Sequence, residues 1–400
     1  MTHCRSSASA RKEIGIGLVL IADRSRKSRQ KPCDKAAILV SDILRFHLES
    51  LPNHQLSRLG FGTSGIMGAS LTTAGRLRLL EHAFDQGIRH FDTAPLYGMG
   101  LAEEVVGRFA RGRRGEITIT TKFGLAPRAI PPLLRPLMPI ARALHRKVWR
   151  RWRSGDLAMA VVIPPKPQGQ APALEPVAAS APSPPTAVPP GPASGEQAGG
   201  TPYSEAAIRE SLAASLRKLG CDYIDYFLLH EGQSGHLNEA VIALLESLVQ
   251  EGKIRHYGLG SGRSASWSIL TRWPAFQGVV QIPDHLFQTD TGWFAAHAAG
   301  PLFTHSVLQT PLRTEQMRAS LDQLLLAWAE RTGQDPTRPG LLSELLLMGG
   351  MLNNPEGCVL FSTSRADRIA GHVRTLQAMP GVAPVLQQLL ADTQADRRGG

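Results

Sequence analysis

The chain has 400 residues, 42% of them hydrophobic, with 44 Lys and Arg against 33 Asp and Glu for a formal net charge of +11. That apolar share is enough for a large buried core, and the length admits two or three domains or one barrel of eight βα units with accessory segments. The excess positive charge gathers at 5–31 and 128–153, outside any recognisable nucleic-acid-binding fold, so no nucleic-acid partner is expected.

Residues 1–50 read as an N-terminal extension. Within it Ile14 to Ala22 is apolar but too short to span a bilayer, and the basic run from Asp23 to Lys31 lacks a small-residue cleavage pattern. Cys4, Cys33, Cys221 and Cys358 lie far apart, with no CxxC or Cys/His spacing. A disulfide framework and a zinc site are therefore not expected, and a reducing cytoplasm is the simplest compartment. From Leu56 a regular alternation begins. LSRLGFGTSGI is strand-like, with Gly60, Gly62 and Gly65 allowing close backbone approach, and 72–86 carries apolar residues at helical spacing. Next come RHFDTAPLYG, whose first half is a short strand, a helix over 101–110 and a strand over 117–122. After an interruption follow a helix over 204–219 opened by Ser204, and a strand over 223–230. A helix at 238–251, strands near 256–261, 278–282 and 302–307, a helix near 341–351, the strand VLFSTS and a helix from Ala366 complete the series.

Eight alternating units predict an α/β fold, a closed (β/α)8 TIM barrel over 51–385, rather than an open doubly wound sheet, which rarely needs this many repeats. Residues 386–400 are expected to be a flexible tail. The insertion over 126–200 follows the third strand. Its 164–200 portion is Pro- and Ala-rich, almost without large apolar residues, and is expected to be disordered because it cannot bury enough surface to offset its ordering entropy. Before it, 137–153 predicts a basic amphipathic helix that either packs on the barrel rim or docks an anionic membrane surface or a protein partner.

Active sites of such barrels gather at the C-terminal ends of the strands. The ionisable residues expected there are Asp92 and Tyr97 after the second strand, Lys122 ending the third and His230 ending the fourth. A phenol has an unperturbed pKa near ~10, and a nearby ammonium is expected to lower it. Lys122 would do this for Tyr97, with Asp92 holding Lys122 and His230 hydrogen-bonding a substrate oxygen. Together they suit a general acid for a carbonyl oxygen whose carbon receives hydride.

The motifs DTAPLYG, TKFG, YIDYFLLH and EGKIRHYGLGSG, in that order, resemble the aldo-keto reductases, in a version similar to bacterial members acting on sugars or small aldehydes. The resemblance runs from about Leu56 to Val373, outside the insertion, and implies a (β/α)8 barrel with an extended nicotinamide cofactor and a catalytic tetrad of Asp92, Tyr97, Lys122 and His230. It also implies cofactor contacts by Gly62 and Thr63, by Ser261, by Gln281 at the carboxamide, by His305 where an aromatic usually stacks, and by Ser306 near the pyrophosphate. Ser362, Thr363, Ser364 and Arg368 fall where the family grips the adenosine phosphate. Hydroxyls and an Arg suit a 2′-phosphate, which favours NADP(H). The chain departs from the pattern at Gly260 and Ser261, at His305, and at Gly371 and His372. The activity implied is oxidoreduction of a small aldehyde, ketone, alcohol or sugar without a metal. The altered cofactor positions and the insertion motivate an alternative, a cofactor-binding regulatory or scaffold protein.

Overall fold

Parallel strands covered on both sides are buried on both faces, and five of the eight strands of this chain are buried throughout. In the computed structural model, which describes residues 57–70, 72–125, 202–308 and 315–399, the eight are β1 Leu59–Gly62, β2 His90–Asp92, β3 Thr118–Phe123, β4 Ile224–His230, β5 Ile254–Gly260, β6 Val280–Pro283, β7 Leu302–His305 and β8 Cys358–Phe361. In β1, β2, β3, β4 and β8 every residue is buried. Each strand pairs in parallel with the next, and β8 returns to β1 through Leu59↔Val359, closing the barrel. The (β/α)8 architecture read from the sequence is the one observed.

The helices form for local reasons that the sequence carries. Helix α1 (Thr73–Asp85) starts where the Thr72 hydroxyl accepts from the Gly75 amide at 3.1 Å. After α2 (Ala102–Ala110) comes α3 (Glu205–Leu219), capped by Ser204 at its start and by Gly220 in the left-handed conformation (φ 61°) at its end. Asn238 caps α4 (Glu239–Gln250), accepting from Val241 at 3.0 Å. Then follow α5 (Arg263–Arg272), α6 (Thr291–His297), α7 (Glu315–Thr332), α8 (Leu341–Asn353) and α9 (Ala366–Gly399).

Three details differ from the sequence reading. Strand β1 covers only four residues, because pairing to β2 and β8 ends at Gly62. Between β7 and β8 the chain inserts α7 as well as α8, and α7 buries Leu321, Leu324 and Trp328 while packing against α9. The flexible tail expected from 386 is instead helical to Gly399: Leu386, Leu389 and Leu390 are buried, and that burial carries α9 past Pro380 and Pro384. The N-terminal extension, the basic helix at 137–153 and the Pro-rich 164–200 lie outside the described residues. Among the described residues, no helix is long and apolar enough to cross a membrane.

Strand register is fixed from the end opposite the site. Asp225, one residue into β4, accepts from the Ile119 amide of β3 at 2.9 Å and from Arg114 at 2.6 Å. With β3 and β4 locked there, Lys122 pairs with Leu228 two residues before His230. Inside the barrel, the His90 ring stacks on Phe303 at 4.5 Å and shares a hydrogen bond with the Thr118 hydroxyl. Burial, aided by Lys122, pushes its pKa down to about 3, so it sits in the core as a neutral ring. Gly258 of β5 has no room for a side chain, since a Cβ there would overlap the Val279 carbonyl. Gly258→Ala should therefore cost about 1–3 kcal/mol, read as a lower urea midpoint at unchanged slope. An unchanged midpoint would mean that β5 and β6 are less closely set than the structure has them.

Candidate active site

The parallel register delivers three of the four rim side chains to the C-terminal end of the barrel. Asp92 closes β2 opposite Gly62, Lys122 lies one residue from the end of β3, and His230 ends β4 opposite Gly260, which in turn pairs with Gln281. Tyr97 arrives by a different route. Beyond Pro95 the chain tightens into a 3₁₀ turn, Tyr97–Gly100, made feasible by Gly98 at φ 60°, where a Cβ would press on Met67.

Lys122 organises the group. Its Nζ donates to Asp92 Oδ1 at 2.6 Å, to the Thr93 carbonyl at 3.1 Å and to the Tyr97 hydroxyl oxygen at 3.2 Å. An ammonium has three N–H bonds, so all of them are engaged. The Tyr97 oxygen receives one, which leaves its own O–H free to donate. Burial works against the Lys122 charge, but Asp92 and Tyr97 outweigh it and the ammonium is held above its usual range. The His230 ring packs edge-on against Tyr97 with centroids 5.9 Å apart. Burial first and Lys122 second lower His230 to about 3, so the imidazole is neutral, and its Nδ1 is buried without a hydrogen-bond partner.

The sign of the Tyr97 shift differs from the sequence expectation. Lys122 does pull the phenol down, but burial pushes it up more strongly, with Asp92 and Glu231 adding to the rise, and the net displacement is upward. Tyr97 therefore keeps its proton through neutral pH.

A cavity opens beside Tyr97 and Asp92. Of the residues assigned to cofactor contact, Gly62, Gln281, His305, Ser306 and Ser362 line it. Gln281 donates Nε2 to Asp92 Oδ1 at 3.0 Å, and its Oε1 is left as a buried acceptor without a partner. His305 shares a 2.9 Å hydrogen bond with Ser306, which adopts φ 65°; burial, with a smaller push from Lys122, lowers the imidazole to about 4. The other assigned residues are placed differently. The Thr63 hydroxyl turns to the Asp92 carbonyl at 3.0 Å, the Ser261 hydroxyl to the Gly232 carbonyl at 3.4 Å, and Thr363 accepts from the Arg365 amide at 3.2 Å. Ser364 is exposed just before α9 and Arg368 in its first turn, and Arg368 pairs with no carboxylate among the described residues. His372 is buried edge-on to Phe361.

Sequence reasoning missed Ser64, Val307, Leu308 and Leu360 on the cavity wall. It also missed the Thr93 carbonyl, a backbone group that no residue type announces although it lies inside the DTAPLYG motif.

Similarity to known proteins agrees with this geometry. The sequence model of the aldo/keto reductase family matches residues 58–149 and 193–329. D-threo-aldose 1-dehydrogenase from a Pseudomonas species is 27% identical over 211 residues, 51% of this chain and 49% of that protein. Aldo-keto reductase yakc [NADP(+)] from Schizosaccharomyces pombe is 26% identical over 212 residues, 52% and 43% of the two chains. The chain thus spans about half the length of these curated relatives. Among solved structures, the holo form of an aldo-keto reductase from Bacillus halodurans superposes with a TM-score of 0.53 at 22% identity, covering 84% of this chain and 92% of that one, which bears on the fold. A family match over more than half the sequence, on either side of 150–192, joins an eight-stranded closed barrel with a buried lysine between an acid and a phenol, and on that ground the chain belongs to the aldo/keto reductase family of oxidoreductases.

Proposed function

We propose that the chain is an NADP(H)-dependent oxidoreductase that interconverts a small aldehyde or ketone with its alcohol, with Tyr97 as the general acid and Asp92, Lys122 and His230 as its partners. The observation that carries this reading is the saturated Lys122: with all three N–H bonds committed, the Tyr97 O–H is free to point at a carbonyl oxygen. NADPH, when bound, supplies hydride to the carbonyl carbon. Gln281 fits that cofactor, because its orphan Oε1 needs a donor such as a carboxamide NH₂. Gly62, His305, Ser306 and Ser362 would flank the cofactor, and the unpaired Arg368 with the Ser364 hydroxyl suits a 2′-phosphate. The NADP(+) in the name of the fission-yeast relative points the same way.

The chain's own groups do the rest. Tyr97, kept protonated by burial, gives its proton to the oxygen as negative charge develops there, and the Lys122 ammonium stabilises the phenolate left behind. His230, neutral, offers a hydrogen bond rather than a charge. Purified protein with NADPH and a panel of aldehydes, ketones and sugars, followed at the reduced-nicotinamide absorbance, tests the reading; tight NADPH binding with no turnover on any of them would sink it in favour of a regulatory role.

A pH prediction follows from the same groups. With His230 near 3 and Tyr97 above its ordinary value, kcat for carbonyl reduction should stay flat from roughly pH 5 to pH 9 and fall only as the phenol ionises. An inflection near pH 6.5 that disappears in His230→Gln would move the proton from Tyr97 to His230.

A further inference from the structure

Beside the four rim residues, the exit of β4 carries a feature that the proposed chemistry does not use. Glu231, directly after His230, has φ 52°, and among the described residues only Ser306 is another non-glycine with positive φ. A glutamate in this conformation costs on the order of 1 kcal/mol, and such outliers persist where the surroundings over-determine them. The surroundings do so here. The Glu231 amide donates to the Gly260 carbonyl at 3.0 Å, carrying the β4–β5 ladder one residue past the strand, and the next carbonyl, of Gly232, accepts from the Ser261 hydroxyl at 3.4 Å. The backbone is pinned on both sides of a turn that glycine would make without strain, yet glycine stands at 232 and an acid at 231.

The acid is exposed, and no ion pair or hydrogen bond engages its carboxylate among the described residues. Its charge reaches Tyr203, whose ring stacks on His236 at 4.6 Å and 16°. The same ring lies so close to Gly124, two residues beyond Lys122, that a Cβ at φ 99° there would sit 2.7 Å from it. The exits of β3 and β4 are thus joined by an aromatic wall, and Glu231 directly follows the residue that packs on Tyr97. The phenols of Tyr97 and Tyr203 both feel the Glu231 charge, which adds to the upward push of burial on each.

On the oxidoreductase reading above, we propose that Glu231 is a specificity-determining residue: its carboxylate at the mouth beside His230 and Tyr97 admits neutral or cationic carbonyl compounds and turns away those bearing a carboxylate or phosphate. Like charges across a solvated mouth repel weakly, and salt screens them.

The test compares 4-carboxybenzaldehyde with its neutral isostere 4-carbamoylbenzaldehyde in wild type and Glu231→Gln, both with unchanged thermal midpoints. The ratio of kcat/KM, anionic over neutral, should rise about three- to ten-fold in Glu231→Gln at low ionic strength, and the gain should shrink in ~0.5 M salt. A ratio within two-fold of wild type would overturn the proposal, because a purely structural Glu231 has no reason to distinguish the two aldehydes. If neither aldehyde turns over, the calorimetric dissociation constants of the same pair decide. A ratio that moves on Glu231→Gln upholds Glu231 while the oxidoreductase reading falls, and a ratio that does not move, or binding of neither aldehyde, overturns Glu231 as well.

Discussion

Tyr97→Phe should lower kcat for carbonyl reduction by about 10²- to 10⁴-fold, the range that a positioned general acid contributes, while the NADPH dissociation constant changes little. The substitution removes one oxygen and leaves the ring, which packs edge-on against His230 and lies 4.7 Å from Lys122 Nζ, so the wall of the cavity keeps its shape. Lys122 loses one of three acceptors but keeps Asp92 and the Thr93 carbonyl, and the fold should lose only the worth of one hydrogen bond to a charged group, about 1.5–3 kcal/mol. A steep fall in turnover with a modest fall in thermal midpoint and retained cofactor binding is the expected signature. Turnover within about three-fold of wild type would require another group as the acid, and among the four rim residues only His230 has the reach; its neutral state at physiological pH makes it a poor donor of a full proton.

How far a linear sequence carries the reader depends on which physical quantity is asked for. The barrel was legible because strands buried on both faces must be written as short apolar runs, and those runs recur with helical stretches between them. The rim residues were legible for a related reason: a charged or phenolic side chain at the end of such a run has no place in the barrel interior except at its mouth. What resisted reading depends on sums over three dimensions. The Tyr97 shift is one, since the pull of Lys122 is visible in the residue types but the opposing burial is not. Which hydroxyls face the cavity is another. Ser261 and Ser362 look alike in sequence, yet Ser261 is spent on the Gly232 carbonyl while Ser362 lines the cavity. The end of α9 is a third, because a Gln- and Asp-containing segment reads as solvent-exposed tail until the positions of Leu386, Leu389 and Leu390 against the other helices are known.

The largest expected effect on stability comes from Lys122→Met, which should cost about 3–5 kcal/mol, since it leaves a buried carboxylate without its cation. Both side chains of the pair are almost wholly enclosed, at 2% and 5% exposure, and without Lys122 the described partner of Asp92 Oδ1 is Gln281 Nε2 at 3.0 Å. The converse change, Asp92→Asn, should be milder: the ammonium keeps the Thr93 carbonyl, the Tyr97 oxygen and an amide oxygen in place of the carboxylate. The pH dependence has a definite sign. The folded pKa of Lys122 is raised, so the stability its charge contributes is fully present below the ordinary lysine value and is lost as pH rises through the higher folded value. The gap between wild type and Lys122→Met should then hold through neutral pH and narrow only in strong base. Combining the two changes separates folding from chemistry. Asp92→Asn with Lys122→Met removes the unpaired charge and should regain much of the lost stability, measured as the urea midpoint, while turnover stays at the level of the worse single variant, because the Tyr97 oxygen has lost the donor that orients it and stabilises its phenolate. Recovery of turnover together with stability in the double variant would show that the buried pair serves the fold alone.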